Sequence, residues 1–424
     1  LQSAYSITDL IVAGWFIGKD GISAINNASQ VMMILTQIIM GITTGGNILM
    51  GQYFGSKDRS NRVKTNRTMF GFALSAGALL SVLLFLLSRP ILAALRAPAL
   101  EEATAYLQVC SAGLIAIFGY NALAAMLRSV GNSKQPFYCV AVTAGCNIAL
   151  DCLFMGGFRW GVRGAALATV ISQVGSCAYV LAFLFGSKPH VRITFSGYDV
   201  RVMRRVLLIG FTPFAIIAVD NVMIIAMNAV LKRYGGAAQG DMLLTCATIA
   251  QSFMLVVTMP LGGISSSTQT ILSFNYGARR PDRVREAQKR VFVLCAVYTG
   301  LMMLVAWTCG GVFARLFTTD AGMADQAVWA IRVCSLALLP LGIQYEIVDG
   351  FTALGQVRYS LPLSFWRKLV YFAALFLLPA IWGAESAFFA EPISDVAGPL
   401  VSIMVYLSVM KKVLDKRKER QPDA

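Results

Sequence analysis

The sequence predicts an all-α membrane protein, with twelve transmembrane helices in two pseudo-symmetric six-helix bundles, and three observations predict it. Hydrophobic residues make up 57% of the 424 positions and charged residues only 13%, with a mean hydropathy of +0.66, where an ordinary soluble domain has about 25% charged residues. Apolar stretches of roughly 20 residues recur along the chain, each long enough to cross a hydrocarbon core of about 30 Å as a helix. One passage also occurs twice. GITTGGNILMGQYFGSKDRSNR from Gly41 and GISSSTQTILSFNYGARRPDR from Gly263 align without a gap, 222 residues apart, by residue class and by the basic run that follows each.

The first half is expected to hold six spans. Span one covers residues 1–17 and carries Asp9 and Trp15. The chain begins at Leu1 inside an apolar pattern, with neither the basic n-region nor the cleavage signal of a signal peptide, so a few residues are expected to precede it. Span two, 27–54, holds Gly41 and Gly45 and leads to Gly51 and Gly55, two Gly-x-x-x-Gly spacings that let helix backbones approach closely. Spans three to six follow at 68–95, 103–127, 134–156 and 161–186, with Trp160 at an edge as an interfacial anchor.

Residues 188–205 are polar and basic and read as a cytoplasmic linker between an N-terminal lobe, 1–187, and a C-terminal lobe, 206–410. The second half repeats the plan at 206–231, 242–276, 288–317, 325–353, 358–382 and 386–410, and residues 411–424 form a basic cytoplasmic tail. Pro213, Pro260 and Pro340 fall inside spans, where a missing ladder hydrogen bond permits a bend. Trp307 and Trp382 again sit toward span ends.

Charge sets the topology. The loops after even-numbered spans, with the tail, hold 25 of the 36 Lys and Arg residues, and the opposite loops hold eight. This is the positive-inside asymmetry, and it places both termini in the cytoplasm. The formal charge of +15 is therefore a topology signal, and nucleic acid is not an expected partner. Six spans per half give the two halves the same orientation, a plan of secondary transporters with the substrate site between parallel repeats.

Several chemistries are unsupported. The nine cysteines lie singly with no Cys-x-x-Cys pair, and His190 is the only histidine, so no zinc site or histidine relay is implied. GWFIGKD at Gly14 has the wrong spacing for a phosphate-binding loop. No aspartate-rich cytoplasmic cluster suggests a magnesium-dependent membrane transferase, and the reading is of a protein that is not an enzyme. No cofactor and no obligate protein partner are called for, and energy comes from an ion gradient or from the substrate.

Acidic residues inside spans cost about 2.5–3.5 kcal/mol on insertion scales and so need a reason. They are Asp9, Asp151, Asp220, Glu346, Asp349, Glu391 and Asp395. Glu346, Asp349 and Glu391 are expected near a membrane face, where water solvates them. Asn147 and Asp151, four apart in GCNIALDCLF, project from one helix face. An amide beside a carboxylate can coordinate Na⁺ through oxygen, hold a protonated acid, or serve as a structural polar pair.

SAYSITDLIVAGWFIG in span one, LRSVGNSKQPFYCVAVTAGCNIALDCLFMGGFRWGVRGAALATVISQ across spans four to six, and GISSSTQTILSFNYGARRPDRVREA after span eight resemble the multidrug and toxic compound extrusion (MATE) family, prokaryotic branch. The resemblance implies a bacterial inner-membrane antiporter that exchanges H⁺ or Na⁺ for small organic, often cationic, drugs by alternating access. It also implies that Asp9, Asn147, Asp151 and Thr169 bind the coupling cation, with no metal beyond a possible Na⁺. Cys152 stands where many members have proline. Asp220 is open between a second cation site, a substrate counter-ion and a buried structural charge. The runner-up is a lipid-linked oligosaccharide flippase of related architecture, which needs basic residues for a diphosphate; Arg332, Arg367 and Lys368 are the intramembrane bases available.

Overall fold

The computed structural model describes residues 12, 16–94, 99–186, 198–318 and 320–419. Span one therefore lies almost wholly outside the described residues, as do Asp9, Trp15, His190 and most of the expected linker. The described chain is helical: α1 (Gly18–Gly55), α2 (Arg59–Ala94), α3 (Leu100–Ser129), α4 (Lys134–Asp151) and α5 (Gly161–Gly186), then α6 (Val200–Gly236), α7 (Gln239–Gly277), α8 (Pro281–Arg315), α9 (Ala321–Cys334), α10 (Leu338–Ala353), α11 (Val357–Trp382) and α12 (Ala390–Glu419). Ten of these helices are long and apolar enough to cross a membrane, and α9 with α10 makes an eleventh, bent span among the described residues.

The breaks have local causes. Between α6 and α7, Gly236 takes φ 59° and ψ −163°, a region that a side chain makes prohibitive. The 49° bend between α9 and α10 falls just before Pro340, which has no N–H to bond the carbonyl four residues back. By contrast, α6 and α7 continue through Pro213 and Pro260. After Asp151 the chain widens into a π-helical turn, Cys152–Gly157, at the place where Cys152 stands. Residues 200–205, expected in the linker, are the first turns of α6, and α12 runs through the basic tail as far as Glu419.

The duplicated passage is duplicated in three dimensions. α1 ends at Gly55 and α7 at Gly277, α2 begins at Arg59 and α8 at Pro281, each pair 222 residues apart. Lys57 and Arg279 both turn left-handed, with φ 60° and 57°. Asp58 N–H donates to Tyr53 O and Arg280 N–H to Asn275 O, both at 3.0 Å, the bond that closes a helix C-terminus around a left-handed residue. Gly161 and Gly383, also 222 apart, turn left-handed ahead of the last span of each half. Thus the residue-class match reflects a common backbone path through the same turns.

The chain forms two compact units, residues 1–54 with 58–214, and 55–57 with 215–424. The division falls inside α6, one residue beyond Pro213, rather than in the expected linker. In the first unit α3 is central: it is mostly buried, whereas α2 is mostly not, and it packs on α2 and α5. Gly41 and Gly45 meet the backbone of Gly210 and Val206 in α6, so close that a Cβ on Gly45 would lie 2.2 Å from Val206 O. In the second unit α10 is covered by α8, α11 and α12.

Outer faces are apolar. Leu79, Val82, Leu83 and Leu86 of α2 and Val293, Val297, Leu301 and Leu304 of α8 recur at helical spacing and are exposed. Helices satisfy their own backbone groups, so such faces suit a hydrocarbon solvent. Trp160, Trp307 and Trp382 are also exposed.

Candidate functional site

In the first unit, α4 carries Asn147 and Asp151 one turn apart, and both are buried, at 1% and 0% exposure. The Asn147 amide has no hydrogen-bond partner among the described residues, on either its oxygen or its nitrogen. A buried amide left so is uncommon, and its oxygen is free to accept a ligand. Thr169 lies half-buried on α5, which packs against α4, and donates its hydroxyl to Ala165 O at 3.1 Å. The structure therefore puts three of the four expected cation-binding residues on adjacent helices of one unit. The fourth, Asp9, lies outside the described residues. The π-turn that starts directly after Asp151 is a widened helical turn of a kind frequent at functional sites.

The second unit holds a charge network. Lys368 Nζ on α11 donates to Ile216 O at 2.7 Å and to the Asp220 carboxylate. Arg367 bridges Asp395 on α12 at 2.7 Å, with the Arg 9% and the Asp 0% exposed, and approaches Asp220 at 3.9 Å. Two bases thus face two aspartates. Asp220 is a member of this network, and its half-exposed side chain also lines a cavity of the unit.

Glu346 and Asp349 depart from expectation. Glu346 is 0% exposed and neither carboxyl oxygen has a hydrogen-bond partner among the described residues. Asp349, one turn on, accepts a 2.6 Å hydrogen bond from Ser265 on α7, a residue of the duplicated passage. Neither is merely solvated at a membrane face. The reason is packing: once the bend tips α10 away from α9, neighbouring helices cover the face that carries them. Glu391 is also not at the bulk surface; it lines a cavity within the unit.

Every acidic member of these groups stands out in the sequence, as do Arg367 and Lys368 among the intramembrane bases available to a flippase. Their pairing does not stand out. The available signal was opposite formal charge at Arg367 and Asp395 in consecutive spans, since two uncompensated charges in hydrocarbon are far costlier than a pair.

Comparisons with known proteins establish the fold and the family. The multidrug export protein MepA of Staphylococcus aureus (strain MSSA476) is 22% identical over 415 residues, covering 96% of this chain and 89% of that protein. The probable multidrug resistance protein YoeA of Bacillus subtilis is 22% identical over 396 residues, 91% of this chain and 82% of that one. A crystal structure of MATE in the bent conformation superposes with a TM-score of 0.91 at 18% identity, covering 98% of this chain and 93% of that chain. This likeness shows the fold, the twelve-helix MATE architecture, of which the described residues supply eleven spans. The model of the MatE family matches residues 1–153 and 217–375, taking in Asn147 and Asp151 of one unit and the Asp220, Arg367 and Lys368 network of the other, and so this chain, a multi-pass membrane transporter, belongs to the MatE family.

Proposed function

We propose that this protein is a secondary-active multidrug efflux antiporter. It exports organic, often cationic, compounds in exchange for H⁺ or Na⁺ by alternating access, and it sits in the bacterial inner membrane with both termini in the cytoplasm. The observation that carries the reading is the wholly buried Asp151 one turn from an Asn147 amide with no hydrogen-bond partner among the described residues. A carboxylate beside an amide oxygen on one buried helix face can be filled by a proton or by a cation held through oxygen. Differential filling from the two sides of the membrane is what couples the ion to the drug. The curated relatives named for multidrug export and resistance support the same substrate class.

The flippase alternative loses ground because Arg367 and Lys368, the bases it would use for a diphosphate, already face Asp220 and Asp395. Proteoliposomes with an imposed pH or Na⁺ gradient and a panel of fluorescent cations test the proposal. Asp151→Asn should fold and insert yet show no gradient-driven efflux. Coupled transport at the wild-type rate in that variant would reject the site.

A further inference from the structure

We propose that the cavity of the second unit binds the organic cation, with Glu391 as its counter-ion. This deepens the reading of the protein as an exporter of organic cations and rests on it. The cavity has a volume of about 350 Å³ and lies wholly among helices of the second unit. That size is at the lower end of drug-binding pockets.

Charge accounting selects the residue. Three charged groups line the cavity: Asp220, Arg367 and Glu391. The Arg367 guanidinium is held by Asp395 at 2.7 Å and lies 3.9 Å from Asp220. Asp220 in turn accepts from Lys368, which is 1% exposed behind the wall. Two bases and two aspartates thus cancel. Glu391 is left over: its side chain makes no hydrogen bond or ion pair among the described residues, and only its backbone oxygen is engaged, by Ser394. The lining therefore carries one formal negative charge in excess. A carboxylate in apolar surroundings gains most from a bonded partner of opposite charge; Arg367 and Lys368 attract Glu391 only from beyond ion-pair distance, because they are bonded to Asp395 and Asp220.

The remaining walls suit a bulky, weakly hydrated cation better than a small inorganic one. Tyr345, Tyr371 and Phe388 present aromatic rings, whose faces attract cations, and Trp329 packs on Phe388 at 5.6 Å and fixes its orientation. Met223, Met227 and Met254 line the same space, and flexible thioethers adapt to ligands of different shape. One net negative charge fits a monovalent cation and disfavours an anion, because an anion would have to displace an aspartate from Arg367.

The test is equilibrium binding of ethidium and of tetraphenylphosphonium to the purified full-length protein. Glu391→Gln should weaken both by about tenfold or more, as loss of a desolvated charge partner does, while Glu391→Asp, which keeps the charge, retains most of the affinity. Thr248→Trp, which fills the cavity without altering a charge, should weaken both by a similar factor. Wild-type affinity in a folded Glu391→Gln protein overturns the proposal while leaving cation export standing. If that variant does not fold, wild-type affinity in Thr248→Trp overturns it in the same way. A wild-type protein that binds neither cation overturns both this inference and the function it rests on.

Discussion

Replacing Arg367 by methionine removes the cation that holds Asp395, and the structure sets the size of the effect. Arg367 Nη1 lies 2.7 Å from Asp395 Oδ1; Asp395 is 0% exposed, and its second oxygen has no other donor among the described residues. Stranding such a charge costs about 3–5 kcal/mol. For a unit of roughly 200 residues, 1 kcal/mol moves the melting midpoint by about 2–4 °C, so a fall of about 6–20 °C is expected. Asp395→Leu should cost well below that, because Arg367 keeps Asp220 at 3.9 Å and an opening to the cavity. The double variant Arg367→Met with Asp395→Leu should recover most of the loss, since removing both members of a buried pair is often neutral. A thiol-reactive dye followed during heating at one fixed rate measures this. Cys246, Cys295 and Cys334 are buried in the second unit and become reactive as it unfolds. An Arg367→Met protein that melts with the wild type, or a double variant that falls as far as the single one, would refute the reasoning.

Glycine scanning should separate close packing from mere flexibility. Gly45→Ala should lower stability by about 1–3 kcal/mol or more, because the new Cβ meets backbone at 2.2 Å and backbone cannot step aside. Gly145→Ala, with nothing within 4 Å, should raise it by about 0.5–1 kcal/mol, read as melting midpoints of the purified proteins. Single cysteines at Ser60 and Ala287, in a cysteine-free background, should label from the same, cytoplasmic, side; labelling from opposite sides would contradict parallel halves. Exchange of one proton for one monovalent drug moves no net charge, so a clamped voltage of about 100 mV, worth roughly fiftyfold in accumulation per charge moved, should drive no uphill export at equal pH and Na⁺. Voltage-driven accumulation would mean a second coupled cation, and Glu346, wholly buried with neither oxygen hydrogen-bonded among the described residues, becomes the first residue to test ahead of Asp220.

Features set by a few consecutive residues were legible in the chain. Span length follows from uninterrupted apolar runs, which hydrocarbon requires whatever the packing. Asn147 and Asp151 share a helix face because four residues make one turn, and Gly55 and Gly277 mark equivalent helix ends because the same left-handed turn follows each. Gly41 and Gly45 could be read as a close-approach surface, but that Gly210 is what they meet could not, since 165 residues separate Gly45 from Gly210.

Burial and partnership belong to the tertiary structure. A carboxylate in a span looks the same in sequence whether it faces water, a base or nothing: Asp395 meets Arg367, Asp220 meets Lys368, Glu346 meets no hydrogen-bond donor among the described residues, and Glu391 faces a cavity. The bend before Pro340 and the cover of α8, α11 and α12 take Glu346 out of reach of solvent. Hydrophobicity and helical period act along the chain and leave a pattern in it, whereas Coulomb attraction and packing act across space between residues such as Ile216 and Lys368, whose separation of 152 positions carries no periodic trace.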